Sequence, residues 1–563
     1  MKRCPECGRS YNDDSMSFCL DDGSELLFGP ASMDEPVTAI LHSTAAPGEA
    51  PTLSQIHTTG QTAVLPANTG DIVPKPRGLD KRLLAAPFLL AIVVLGGFFG
   101  YKYFTSVNSK QIESIAVMPF VNESGNIDVE YLSDGMTETL ISSLTQVPNL
   151  SVKARSSVFR YKGKEIDSRT VGKDLNVQAI LIGRVGRRGD QLSLSLELVE
   201  VASENAIWSR QYTRKSEDLI ALQSEIARDV SSQLKAKLSG TDVARVEKSF
   251  TANPEAYQLY LRGRFHAEKR VTPEIRKSIE YFQQAIAIDP NYVHAYAGLA
   301  DSYSLLSDYG GAPAREAIPE AKLAAFKALS IDSESVEAHT LLCSVLATYD
   351  YDFAGAEREC QRAIQLDPDY APGHHRYGLL LTRLGKHAES QASLRRALAL
   401  EPLSLVINRN YGESLFYARS YPESIAQFQK TIDIDPTFSS AYYDLAYALQ
   451  LTQRQDECVE AYARSQELTG EHENARLIRE KFKTEGWRGF LKIMTTLGVS
   501  GSNYTRAIFL GELGEFDKAF AELEAAFDQR LYRLAHIKVD PRLDPLRTDP
   551  RFERLLKRMN LPE

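Results

Sequence analysis

Hydrophobic positions along this chain change period several times, and each change marks an element. Residues 83–101 run as 19 residues without a charge between Arg82 and Lys102. At about 1.5 Å per residue such a run crosses the roughly 30 Å core of a bilayer, which predicts a membrane helix over 83–104. From residue 112 the pattern is mixed. Residues 112–120 are an apolar strand, 131–147 carry apolar residues at helical spacing, and 150–158 read as a second strand. A short helix is expected at Thr170–Leu175. Residues 179–188 and 191–200 alternate apolar and polar about Gly189 and Asp190, the pattern of a hairpin with one buried face. A further strand over 206–214 leads into an amphipathic helix from Ser216 to Leu238, completing an α/β domain over 111–240.

The remainder is helical and periodic. Ala285, Ala328, Ala363, Ala397, Thr431, Ser465 and Ala526 are 43, 35, 34, 34, 34 and 61 residues apart. Seven residues before each stands a small side chain: Ser278, Ala321, Ala356, Ser390, Ser424, Cys458 and Ala519. Ser344, Gly378, Gly412 and Ala446 form a further small column where a first helix (A) must approach a second (B), and Pro290, Pro368, Pro402 and Pro436 end the B helices. A 34-residue period of paired helices resembles the tetratricopeptide repeat. Repeats 1–6 occupy 252–470, a helical insertion around Trp487 occupies 471–500, and repeat 7 with a C-terminal cap occupies 501–563. The 43-residue first interval holds an insertion with Gly310, Gly311 and Pro313.

Stacked repeats make a superhelix whose concave groove is lined by A helices, and such grooves take peptides and protein segments. The positions expected to face it, as partner-binding residues, are His375, Arg409, Glu413, Tyr443, Tyr447 and Gln450. Adjacent helical side chains point apart, so His374 and His375 do not suggest a metal pair. Cys343 and Cys360 occupy inward columns of one repeat. They read as core fillers, able to pair in an oxidising compartment.

Composition and charge narrow the function. With 65 Lys and Arg against 74 Asp and Glu the formal charge is −9, which argues against a general grip on nucleic acid. Lys75, Arg77, Lys81 and Arg82 precede the membrane run and only Lys102 and Lys110 follow it closely. The positive-inside bias therefore places the N-terminus in the cytoplasm and all that follows outside. Gly96-x3-Gly100 permits close packing of two such helices, the hint of a homodimer. Residues 29–79 hold seven of the 25 prolines and no aromatic residue, and are expected to be a disordered linker with a reach of roughly 40 Å.

The first 28 residues carry Cys4-x2-Cys7 and Cys19-x2-Asp22. Two such knuckles on tight turns present four donors to one tetrahedral ion, so Cys4, Cys7, Cys19 and Asp22 are the candidate Zn2+ ligands. A carboxylate in the fourth place departs from the usual all-sulfur or nitrogen set, and a ribbon that has lost its metal or a reduced thiol pair remain alternatives. The segment resembles the small zinc ribbons that begin many bacterial membrane proteins, and has too little apolar content to fold without metal.

Residues 112–238 resemble the N-terminal domain of TolB and the extracytoplasmic domain of CadC-type regulators and some bacterial adenylate cyclases and kinases. The resemblance is carried by Ala116-Val117-Met118-Pro119-Phe120, Leu132-Ser133-Asp134-Gly135-Met136-Thr137-Glu138, Gly183-Arg184-Val185 and Ile207-Trp208. It implies a bacterial inner-membrane protein with periplasmic C-terminal domains. Ser133 or Asp134 is expected to cap the first helix, not to catalyse. In the resembling families the cytoplasmic end carries a winged helix, kinase or cyclase, where this chain has the ribbon alone. No kinase set, Walker loop, His-Glu-x2-His or Gly-x-Ser-x-Gly occurs, so no enzyme is expected. The expectation is multidomain: zinc ribbon, transmembrane helix, TolB-like α/β domain and all-α superhelix. The function expected is an interaction scaffold or signalling adaptor. The alternative is a transcription-linked membrane regulator whose ribbon contacts nucleic acid or polymerase.

Overall fold

The computed structural model describes residues 112–126, 129–147, 149–165, 167–234, 251–497 and 503–561, with three short strands nearer the N-terminus. Those strands, β1 (Lys2–Arg3), β2 (Ser10–Tyr11) and β3 (Leu27–Phe28), form an antiparallel sheet with β1 in the middle. They belong to a unit of their own, Met1–Tyr101. The zinc candidates Cys4, Cys7, Cys19 and Asp22, the 29–79 linker and the 83–104 membrane run lie outside the described residues.

The second unit starts with the α/β domain. Its strands are β4 (Ser114–Val117), β5 (Val121–Asn122), β6 (Ser151–Val152), β7 (Ala179–Arg188), β8 (Gln191–Glu200) and β9 (Ala206–Lys215). They run in the order β6-β4-β7-β8-β9, with β5 also on β7. β4 is parallel to both neighbours, and its Ile115, Ala116 and Val117 are wholly buried, as a strand covered on both faces requires. On β8 the alternation holds: Leu192, Leu194, Leu196 and Leu198 are buried. The helices are α1 (Glu130–Thr145), α2 (Arg155–Phe159), α3 (Ser168–Leu175) and α4 (Leu219–Gln233).

Two local expectations are corrected. The strand expected over 150–158 is two residues long and gives way to α2, where Arg155 stacks 3.9 Å over Phe159 and pairs with Glu138 and Glu268. Ser133 and Asp134 do not cap α1, which starts a turn earlier at Glu130. Ser133 is buried, and Asp134 accepts hydrogen bonds of 2.6 and 2.7 Å from Lys162. Burial nonetheless pushes the Asp134 pKa up.

The repeats are seven helix pairs: α5 (Pro254–Ala267) with α6 (Thr272–Ile288), α7 (Val293–Asp308) with α8 (Ala314–Ile331), and α9 (Val336–Val345) with α10 (Phe353–Leu366). Then follow α11 (Ala371–Leu384) with α12 (His387–Leu400), α13 (Leu405–Tyr417) with α14 (Tyr421–Ile434), and α15 (Ser439–Leu451) with α16 (Gln455–Leu468). The inserted α17 (His472–Thr496), broken at Gly486, separates these from α18 (Asn503–Glu512) and α19 (Phe516–Asp528). Ser278, Ala321, Ala356, Ser390, Ser424, Cys458 and Ala519 are all 0% exposed, which explains why that column admits only small side chains. A Cβ on Gly412 would sit 2.6 Å from the Phe428 ring. Turns that follow B helices repeat as well: the carboxylates of Asp289, Asp332, Asp367 and Asp435 each accept from the backbone N–H two residues on.

The α/β domain is bolted to the first repeat. α1 packs on α5 so closely that a Cβ on Gly135 would lie 2.7 Å from Leu261 Cδ2. Thr139 and Tyr257 share a 2.9 Å hydrogen bond, and the Tyr257 hydroxyl donates to Gln223 on α4. At the far end the solenoid folds back. After α19 come two 3-10 turns, Tyr532–His536 and Pro541–Leu546, and then α20 (Pro550–Arg558). α18, α19 and these turns share one buried cluster with Cys343, Ala347, Tyr351, Phe353 and Leu380 of the third and fourth repeats. The C-terminal cap therefore packs inside the superhelix as well as on its end.

Candidate functional site

The solenoid curves around a large cavity, open to solvent, of about 2950 Å3 that forms its inner channel. Its walls are the concave faces of α5, α7, α9, α11 and α13, with α1 and α2 at one side and residues 528–533 at another. Each A helix contributes a stripe at helical spacing, as Asp301, Leu305 and Asp308 do on α7. Where α/β domain and repeats meet, Arg264 pairs with Glu138 and Glu268, and the Ser156 hydroxyl donates to Glu401. Burial raises the Glu401 pKa against that hydrogen bond.

Of the six residues expected to face the groove, His375 and Arg409 line the channel. His375 Nε2 accepts a 2.8 Å hydrogen bond from Asn410 Nδ2. Burial, and then the Arg376, Arg383 and Arg409 guanidiniums, push the His375 pKa well below its usual value. Arg409 pairs with Asp444 and, at 3.2 Å, with Glu413. Burial works against the Arg409 charge, but those two carboxylates outweigh it and raise the pKa.

Glu413, Tyr443, Tyr447 and Gln450 are brought together but do not form an open surface. All four are buried. Arg533 approaches Glu413 and Asp444 at 4.0 and 3.9 Å, and Arg542 lies over Tyr447. Gln450 Nε2 donates to Glu512, which also accepts a 2.7 Å hydrogen bond from Trp487 Nε1. The sequence period puts these side chains on a face open to a partner, whereas here they are buried. It carried no sign that the chain's own C-terminal segment covers that face, because the cover depends on where α17 turns the chain.

Sequence reasoning passed over the neighbouring column. Arg376, Asn410 and Asp444 stand 34 residues apart, each one position after His375, Arg409 and Tyr443, and all three point inward. Extending the period by one position would have found them. Asp308, on the insertion-bearing repeat, has its pKa pushed up to about 6 by burial and by Asp301. Arg530 and Arg533 come from a turn with no repeat signature.

His374 Nε2 meets the Pro368 carbonyl, away from His375. Among the described residues no group of three or more His, Cys, Asp or Glu could hold a metal ion, and no helix is long and apolar enough to cross a membrane. Cys343 and Cys360 are joined as a disulfide with a Cα separation of 5.1 Å, and Cys458 is free and buried.

Comparison with known proteins agrees with the repeats. Residues 371–402 and 427–460 match tetratricopeptide family models, and residues 110–229 match the second domain of HilA/YgeH-like transcriptional regulators. A Rhizobium meliloti (strain 1021) protein named as an adenylate cyclase is 31% identical over 42% of this chain and 40% of its own length. The transcriptional regulator HilA of Salmonella typhimurium is 21% identical over 45% of this chain and 43% of its own. The chain thus spans less than half the length of these curated relatives. A solved tetratricopeptide protein of Thermus thermophilus is 20% identical, with a TM-score of 0.29, over 33% of this chain and 96% of that one. The C-terminal part is a tetratricopeptide-type superhelix preceded by an α/β domain, and such repeats act as protein-interaction scaffolds.

Proposed function

We propose that this protein is a membrane-anchored interaction scaffold or signalling adaptor that draws a segment of a partner protein or peptide into its inner channel. The channel volume of about 2950 Å3 carries the reading. Small-molecule pockets run to about 300–1,000 Å3, so a space this large, walled by A helices, suits a stretch of polypeptide. In this reading the protein has no catalytic role. Residues 83–104 anchor it in a bacterial inner membrane, with the N-terminus cytoplasmic and the TolB-like domain and repeats periplasmic. Cys4, Cys7, Cys19 and Asp22 hold Zn2+ in a ribbon that meets a cytoplasmic partner. The knuckle spacing and the Lys/Arg asymmetry about the apolar run support these parts.

The test is a random peptide library selected on the full-length chain. Peptides that bind should lose affinity for Ser304→Trp, which fills the channel from α7, and keep it for Leu323→Trp, which is 66% exposed on α8. Equal loss, or none, would end the proposal.

A second reading is favoured by the match of residues 110–229 to a transcriptional-regulator domain: a transcription-linked membrane regulator whose ribbon touches nucleic acid or polymerase. It requires zinc-dependent DNA or polymerase binding that Cys4→Ser with Cys7→Ser abolishes.

A further inference from the structure

The six-stranded sheet ends on one side at β9, and among the described residues no strand pairs along the outer edge of β9. Register decides which backbone groups face that edge. The two-residue turn at Gly189 and Asp190 closes on the Arg188–Gln191 pair, so β8 turns the N–H and C=O of Leu192, Leu194, Leu196 and Leu198 toward β9. Their partners Arg214, Tyr212, Arg210 and Trp208 point back at β8, and the Ser216 N–H continues this ladder by donating to the Asp190 carbonyl at 2.9 Å. Ser209, Gln211, Thr213 and Lys215 therefore turn their backbone groups outward. The Thr213 carbonyl agrees, because the Arg214 guanidinium donates to it at 2.9 Å.

An open strand edge invites pairing, and proteins blunt such edges with short strands, proline, bulges or outward charges. β9 is 10 residues long, holds no proline and keeps its register shift at the Leu198/Val199 end. Its arginines are drawn onto α4, Arg210 by Asp229 and Glu225 and Arg214 by Glu225 at 2.9 Å. The carbonyl that Arg214 also reaches can still accept a second bond. We infer that β9 is a dimerisation edge, pairing antiparallel with β9 of a second copy of this chain across a two-fold axis at Gln211. The strand's own sequence selects that occupant and that register. With Gln211 opposite itself, Arg210 meets the second copy's Tyr212, Trp208 meets its Arg214 and Ser209 meets its Thr213, and symmetry repeats each pair. These are cation–π and hydroxyl pairs, with no like charges opposed. An axis at Arg210 sets Arg210 against itself, and an axis at Tyr212 sets it against Arg214. A two-fold contact needs one patch that complements itself, which the Gln211 register provides. The interface is separate from the channel and from Gly96-x3-Gly100.

Cross-linking of the full-length chain tests the register, in a background of Cys4→Ser, Cys7→Ser and Cys19→Ser so that no N-terminal thiol competes. One strand pair is a small interface, and covalent trapping detects it where sedimentation does not. In the inferred dimer the two Gln211 Cα atoms stand about 5.5 Å apart, within the roughly 4.4–6.8 Å that a disulfide spans. Gln211→Cys should therefore give a covalent dimer under mild oxidation. Ser195→Cys is exposed on the same sheet face one strand inward, and its two copies stand three strand spacings, about 14 Å, apart. It should stay monomeric. Gln211→Pro removes the outward N–H on the axis and spares the β8 ladder, so it should abolish the cross-link that Ser209→Cys with Thr213→Cys forms. Monomer alone from Gln211→Cys, as when the edge serves an unrelated extended peptide, would overturn the inference. So would a Ser209→Cys, Thr213→Cys cross-link untouched by Gln211→Pro, or equal yields from Gln211→Cys and Ser195→Cys, the result of a dimer held through the membrane run alone.

Discussion

The guanidinium of Arg542 lies 3.5 Å from the centre of the Tyr447 ring, so the chain's own C-terminal segment covers the inner face of the sixth repeat. Arg542 is itself held by Asp540, which is 0% exposed and also accepts from the Tyr504 hydroxyl at 2.8 Å. Removing one partner of a buried pair leaves the other charge uncompensated. Arg542→Ala should therefore cost about 3–5 kcal/mol in urea unfolding, well above an ordinary truncation. A loss below about 1 kcal/mol, the range of exposed ion pairs, would mean that the segment is not seated as described.

The contact between Gly135 and Leu261 fixes the α/β domain on the first repeat. Gly135→Ala raises helix propensity but drives a methyl into Leu261, and overpacking of this kind costs about 1–3 kcal/mol. Leu261→Ala opens space at the same point. Unfolding free energies of both single variants and the double variant should show the double less destabilised than the sum. Simple additivity would place the two domains out of contact.

The sequence was most informative where a period constrained it. Column residues such as Ala363 and Ser424 had to be small because two helix axes approach there, and the spacing alone revealed that. His375 and Arg409 followed from the same period and do line the channel. Non-local features were harder. Glu413 and Tyr443 are expected to face an open groove, yet Arg533 and its neighbours, far along the chain, cover them. Ser133 and Asp134 looked like a helix cap because capping is a local pattern. The helix starts earlier because Tyr131 and Leu132 find burial against the core, a tertiary effect that overrides a local preference.

The Cys343–Cys360 disulfide ties the A helix of the third repeat to its B helix across 17 residues. Closing a loop of that size restricts the unfolded chain by an amount worth about 3 kcal/mol. Thermal unfolding of the full chain should shift down on adding reductant, and Cys343→Ala with Cys360→Ala should show the lower midpoint without reductant and no further shift with it. Both cysteines alkylating as free thiols after an acid quench would show that the bond does not form.

His375 and His536 should make the fold sensitive to acid. Both are buried beside arginines: burial, followed by Arg376, Arg383 and Arg409, depresses His375, and burial, followed by Arg383 and Arg533, depresses His536. His536 also stacks on Tyr417 at 4.9 Å between ring centres. A histidine whose folded pKa is lowered binds its proton more readily when unfolded. Its contribution to stability is thus intact above the unfolded pKa of about 6.5 and is lost as pH falls below it. At pH 5 each residue forfeits up to about 2 kcal/mol, and the two together up to about 4 kcal/mol. Urea midpoints measured from pH 7.5 to 5 should fall with decreasing pH, and His375→Gln with His536→Gln should flatten that slope. A wild-type slope that survives the double substitution would assign the acid sensitivity to carboxylates instead.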